Sequence, residues 1–195
     1  MWYNMTCFER KVYTMAWEEK NIKTVLYTEE EIKARAAELG RQITEDYRGN
    51  PPLLIALLRG SVPFLGELIR YIDLDIQYDF MDVTSYEGTE SGGQIKILKD
   101  LDTPIKGKKI LLVEDIVDTG RTIATVIDMF RIRGAEDVKI VTLLNKPERR
   151  VKSVEADYVG FTVPNEFVVG FGMDFNQQYR CLPYIGVLKP ECYER

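Results

Sequence analysis

From Thr28 onward, hydrophobic positions along the chain recur with helical spacing or as short continuous runs. Thr28-Glu29-Glu30-Glu31 reads as a capping box, in which hydroxyl and carboxylate satisfy the free backbone donors of a helix start. Ile32, Ala36, Leu39 and Ile43 then fall on one stripe, and Gly49-Asn50-Pro51 ends the helix. Residues 53–58 are wholly apolar, as expected of a strand buried on both faces. Arg59-Gly60 interrupts them, and 61–72 reads as a helix that tolerates Pro63 in its first turn. A strand is predicted over 76–83, a polar glycine-rich loop over 84–94 and a short returning strand over 95–98. A buried strand at 110–113 leads through a loop to a helix over 121–133, closed by Gly134, and then to a strand at 138–144. Shorter strands are predicted at 158–161, 167–171 and 184–188. The first two dozen residues show no clear period and read as an irregular or extended arm, so the chain divides into an arm (1–24) and one domain (25–195).

Strand–helix–strand alternation predicts an α/β domain with a mainly parallel sheet and right-handed crossovers. In such sheets ligands bind beyond the carboxyl ends of the strands. The loops after residues 58, 83, 113 and 144 are therefore where chemistry is expected.

Composition narrows that chemistry. The 195 residues carry 26 Lys+Arg and 31 Asp+Glu, a formal charge of −5, and no histidine. Histidine-based nucleophilic triads, imidazole metal sites and a histidine general base are excluded, leaving carboxylate, Lys, Tyr, Cys or water to move protons. The acidic balance argues against a sequence-independent nucleic-acid binder. Cys7, Cys181 and Cys192 are an odd number without a C-x-x-C pair, which suits reduced thiols. No apolar run approaches 18 residues, and residues 1–20 lack the apolar stretch of a signal peptide; a cytoplasmic protein without a membrane span is expected.

The most informative stretch is 109–122, Lys-Ile-Leu-Leu-Val-Glu-Asp-Ile-Val-Asp-Thr-Gly-Arg-Thr. An apolar strand delivers Glu114 and Asp115 to its carboxyl end, and Asp118 opens the turn Thr119-Gly120-Arg121-Thr122 into a helix. Free N–H groups at a helix start, two hydroxyls, a close-approach glycine and an arginine make a phosphate cradle. Carboxylates beside it need something cationic or hydroxylated, such as Mg2+ or a sugar diol. On composition alone, a capped helix start with solvated neighbours accounts for the same residues. The Walker pattern G-x-x-x-x-G-K-[ST] is absent.

The segment Val113-Glu114-Asp115-Ile116-Val117-Asp118-Thr119-Gly120-Arg121-Thr122 resembles the phosphoribosyl pyrophosphate signature of type I phosphoribosyltransferases. Further segments, in order from about Thr28 to Leu188, resemble the bacterial hypoxanthine (hypoxanthine-guanine) phosphoribosyltransferases. These are Leu58-Arg59-Gly60-Ser61, Ser85-Tyr86, Leu143-Leu144-Asn145-Lys146-Pro147, the run from Pro164 to Phe175, Tyr179-Arg180 and the run from Leu182 to Gly186. The resemblance implies the type I phosphoribosyltransferase fold, with a core at about 50–160 and a hood at about 161–190 assisted by the N-terminal part of the chain. It implies transfer of a phosphoribosyl group to hypoxanthine, and to guanine, giving IMP or GMP and pyrophosphate in purine salvage.

The same resemblance implies the roles. Asp118 is the general base, which suits a chain lacking histidine. Glu114 and Asp115 hold ribose hydroxyls and Mg2+, with Thr119, Gly120, Arg121 and Thr122 on the phosphate. Arg59, Gly60, Ser85, Tyr86 and Arg180 contact pyrophosphate. Lys146 reads the purine 6-oxo group, Phe167 stacks on the ring, Val168 reaches the base edge, and Asp174 lies by the base and helps hold a second Mg2+. The 59–60 peptide is expected to be cis, and 84–94 to act as a lid. Dimers or tetramers are implied. Two departures stand out: Arg59 where many relatives carry Lys, and Asn145 where Asp or Val is more usual. A preference for xanthine, or an RNA-binding regulator on the same fold, would share much of this pattern.

Overall fold

The computed structural model describes residues 20–85 and 95–194, without the Ser85 side chain. A six-stranded sheet runs β4-β3-β2-β5-β6-β7, comprising β2 (Leu53–Leu58), β3 (Gln77–Ser85), β4 (Ile95–Lys99), β5 (Lys109–Val117), β6 (Asp137–Asn145) and β7 (Tyr158–Thr162). All its neighbours are parallel except the β3–β4 pair. A separate antiparallel sheet, β1-β9-β8, joins β1 (Ile22–Tyr27), β8 (Val168–Val169) and β9 (Ile185–Leu188) into the hood.

The continuous apolar strands are explained by two layers of core. Leu54 and Ala56 face α1 (Glu29–Asp46) and α2 (Val62–Leu68), whereas Leu53, Ile55 and Leu57 face α3 (Arg121–Ile132). The stripe Ile32, Ala36, Leu39 and Ile43 is buried on the first face, and Ile123, Val126, Ile127 and Phe130 are buried on the second. Burial of such side chains is worth about 1.5–3 kcal/mol each.

The element boundaries differ from the pattern where backbone geometry overrides it. Helix α2 stops at Leu68 and continues as one 3-10 turn, Ile69–Tyr71. Strand β5 extends through Glu114 and Asp115 to Val117, because its backbone remains paired with β6 although its side chains turn polar. The predicted strand at 167–171 shrinks to Val168–Val169: Gly170, Phe171 and Gly172 take φ of 99°, 45° and 101° and form a tight turn. Strand β1 starts at Ile22, inside the stretch read as an arm, and two register shifts against β9 scramble its alternation. Residues 1–19 lie outside the described residues.

The capping box at α1 is present in both directions, with Thr28 Oγ1 accepting from Glu31 N and Thr28 N donating to Glu31. Thr28→Ala is expected to cost about 1 kcal/mol and lower the melting temperature by about 2–4 °C, with turnover unchanged. Thermal unfolding followed by circular dichroism checks this.

Candidate active site

The carboxyl ends of β2, β5 and β6 meet the hood around two adjoining cavities of about 360 and 210 Å3. The larger lies between residues 57–60, the 114–123 segment, Asp174 and Arg180. The smaller adds Lys146, Arg149, Phe167, Val168 and Met173. Asp115, Ile116, Asp118 and Asp174 line both. Of the residues singled out from the sequence, all but Ser85 and Tyr86 line these two cavities. Ser85 ends β3 opposite Ile95, and Tyr86 lies outside the described residues, as does residues 86–94 of the expected lid.

Glu114 is buried and Asp115 half-buried, consecutive acids at the end of the central strand. Burial pushes the Glu114 carboxyl well above its ordinary range, and the neighbouring Asp115 adds to the shift. Burial likewise pushes Asp115 up to about 6, against a backbone hydrogen bond from Ile116 N at 2.8 Å and the pull of Arg180. Gly60 makes room for Asp115: a Cβ at residue 60 would sit 1.6 Å from Asp115 Oδ2. The hood turn stacks on top, since a Cβ at Gly172 would lie 2.0 Å from the Gly60 carbonyl.

This pair suits a divalent cation, since among the described residues neither acid has an ion-pair partner, and Mg2+ takes few carboxylates while keeping waters and substrate oxygens. Among the described residues no group of three or more metal-ligating side chains gathers. Asp174, expected as a further metal ligand, is instead paired with Arg180 Nη2 at 2.8 Å and accepts from Gln177 N at 2.8 Å.

The turn after β5 is built as an anion cradle. Helix α3 is capped by Gly120 at φ 76°, and its first N–H, that of Arg121, donates to Thr119 Oγ1 at 3.5 Å. Asp118 is therefore not the helix cap. Its carboxylate reaches Arg149 at 3.2 Å through Oδ2, while Oδ1 is buried without a partner among the described residues. Across the smaller cavity Lys146 is 5% exposed and donates from Nζ to the Glu166 carbonyl at 2.8 Å, so it is not surface charge. Burial lowers its pKa from the ordinary lysine value, opposed by Asp118 and Glu166. The Phe167 ring stacks on Tyr193 at 4.9 Å and meets Phe175 edge-on at 5.5 Å.

In the loop after β2, the side chain of Arg59 is exposed at the cavity mouth. The cis peptide joins Leu58 to Arg59, one residue before the 59–60 bond expected from the resemblance. Arg180 donates to the Gly172 carbonyl at 2.7 Å and to Gln177 Oε1 at 3.1 Å, and so ties the hood turn to the cavity wall. Three contributors escaped the sequence reading. Arg149 and Arg150 sit in a charge-rich run that resembles solvated surface, and Tyr193 lies beyond the matched segments.

A profile of the phosphoribosyl transferase domain matches residues 24–176. The chain belongs to the phosphoribosyltransferase family. It is 54% identical over 178 residues to the hypoxanthine-guanine phosphoribosyltransferase of Streptococcus thermophilus, a match covering 91% of this chain and 99% of the relative. The Streptococcus mutans enzyme of the same name matches equally, at 54% over 178 residues with the same coverage. The crystal structure of a hypoxanthine phosphoribosyltransferase from Staphylococcus aureus superposes with a TM-score of 0.90 at 46% identity, covering 93% of this chain and 100% of that one. Glu114 and Asp115 thus stand near the carboxyl end of β5, and residues 119–122 at the start of α3.

The raised acids have a consequence for stability. Between the unfolded carboxyl pKa near 4 and about 6, the folded protein keeps a proton on Asp115 that the unfolded chain has released, so this group makes stability fall as pH rises. Asp115→Asn is expected to match the parent near pH 4 and to melt about 2–4 °C higher by pH 7, a size that allows for solvent screening at a half-buried group. Equal melting temperatures at both pH values would contradict it.

Proposed function

We infer that the protein is a hypoxanthine-guanine phosphoribosyltransferase of purine salvage. The reading rests above all on two cavities that share Asp118, one with a helix-start cradle and arginines, the other with a buried ammonium beside an aromatic ring. The first suits phosphoribosyl pyrophosphate and the second a 6-oxopurine.

In this reading a purine ring nitrogen attacks C1 of the phosphoribosyl group as the C1–oxygen bond to pyrophosphate breaks, through an oxocarbenium-like transition state of the kind seen in glycoside hydrolysis. Asp118, facing N7, accepts the proton the base must lose; its buried Oδ1 has no other partner among the described residues. Residues 119–122 bind the 5-phosphate through the α3 N-terminus, and Arg59, Gly60 and Arg180 hold pyrophosphate. Lys146 donates to the 6-oxo oxygen and rejects adenine, whose 6-amino group is itself a donor. Phe167 stacks on the ring, and Val168 backbone groups meet the base edge. Glu114 and Asp115 would hold Mg2+ together with substrate oxygens, and the ion would neutralise charge developing on the leaving pyrophosphate. A dimeric or tetrameric assembly, on the family resemblance, and a cytoplasmic location, on the sequence pattern, complete the proposal.

The test is nucleotide formation from phosphoribosyl pyrophosphate, Mg2+ and each of hypoxanthine, guanine, xanthine, adenine and uracil. IMP and GMP are the expected products, and Asp118→Asn should slow their formation by about 10²–10⁴-fold. Turnover of xanthine alone would move the specificity, and no product from hypoxanthine or guanine would overturn the reading. RNA binding that weakens with salt in a chain without turnover would favour a regulator.

A further inference from the structure

Arg150 follows the 3-10 turn Pro147–Arg149 at the end of β6, and its half-buried side chain reaches back across the gap between two strands. Nη1 donates to the main-chain carbonyl of Asp118 at 2.6 Å, and Nη2 donates to Asn145 Oδ1. Both acceptors are uncharged, and Arg150 makes no ion pair among the described residues. Nε is buried without a partner among the described residues. A guanidinium held by neutral acceptors with one donor unmet is an expensive way to fill space, whereas its fork is suited to fixing two acceptors at once.

The surroundings show what is being fixed. Val151 N and Lys152 N both donate to the Thr119 carbonyl, at 3.0 and 3.2 Å. The Arg150 Cδ atom lies 3.2 Å from where a Cβ on Gly120 would stand. Three consecutive residues, Asp118, Thr119 and Gly120, are thus gripped by three consecutive residues, Arg150, Val151 and Lys152. Asn145 is itself anchored, since it pairs with Val117 in the β5–β6 ladder and its carbonyl accepts from Val163 N at 2.9 Å.

We propose that Arg150, held by Asn145, is a positioning residue that sets the Asp118–Gly120 turn, aiming the Asp118 carboxylate at the purine and the helix-start N–H groups at the phosphate. The inference rests on the proposed transferase reading. It accounts for an asparagine at 145: an amide oxygen accepts from the fork without neutralising it. Among the described residues, the hydrogen-bond and ring partners of the Lys146 and Phe167 side chains are Glu166, Tyr193 and Phe175, outside residues 118–120, so most of the purine's proposed contacts lie apart from the turn.

The experiment is steady-state kinetics of IMP formation with Arg150→Met, Arg150→Lys, Asn145→Ala and the Asn145→Ala/Arg150→Met double variant, beside melting temperatures. Arg150→Met should lower kcat by about 10–100-fold and raise KM for phosphoribosyl pyrophosphate, with KM for hypoxanthine held within about threefold. Lysine, which reaches one acceptor at a time, should restore only part of the loss. Asn145→Ala should act in the same direction but more weakly, and the double variant should be no worse than Arg150→Met, as expected for two groups in one linkage. If Arg150→Met does not fold, Arg150→Lys and Asn145→Ala decide by the same split. Lower melting temperatures with parental kcat and KM would overturn the proposal, as would strictly additive losses. An inactive parent protein would instead overturn the transferase reading, which the parent assay separates from these outcomes.

Discussion

Two consecutive carboxylates, Glu114 and Asp115, stand at the end of the central strand with little access to water. Much of the site follows from accommodating them. Ionised acids in such a place are destabilised by desolvation and by each other, opposed among the described residues by the backbone N–H groups of Asp115 and Ile116 and by the more distant Arg180. Close packing completes the enclosure: Gly60 lies against Asp115, Gly172 against Gly60, and Arg180 binds the Gly172 carbonyl. The folded chain therefore resists ionising this pair, since burial favours the protonated form of both acids.

The electrostatics of the cavities oppose the sign of the whole molecule. A formal charge of −5 would disfavour an anionic substrate if charge were spread evenly. The cavities gather Arg59, Arg180, Lys146 and Arg149 together with the N-terminus of α3. Within a Debye length these local groups, not the distant surface acids, set the potential a substrate meets. Glu114 and Asp115 line the same cavity, so both signs of charge meet there.

The apolar strands and the amphipathic helices were legible in the sequence because each has one simple burial pattern. Residues 53–58 lie between two cores, and the 32–43 stripe faces one. Strand β1 was hidden because its two register shifts destroy the period of two. The end of β8 was hidden because positive φ at Gly170, Phe171 and Gly172 bends a run that reads as extended. In the site, the acidic pair, the glycine turn and Lys146 were visible as motifs. Arg149 and Arg150 were not, since their meaning lies in contacts with Asp118 across more than thirty residues and a charge-rich run usually marks solvent. Asp118 also read as a helix cap on composition, and Gly120 at that position removes the cap reading.

If the acidic pair is the cation's seat, then substrate affinity must depend on metal through those two side chains. Calorimetric titration of phosphoribosyl pyrophosphate into the protein, with Mg2+ and then with excess chelator, measures this directly. The account predicts at least about tenfold weaker binding without metal, and a Glu114→Gln/Asp115→Asn variant whose affinity is the same in both conditions. A variant that keeps the full metal dependence, or a parent protein indifferent to the chelator, would contradict it.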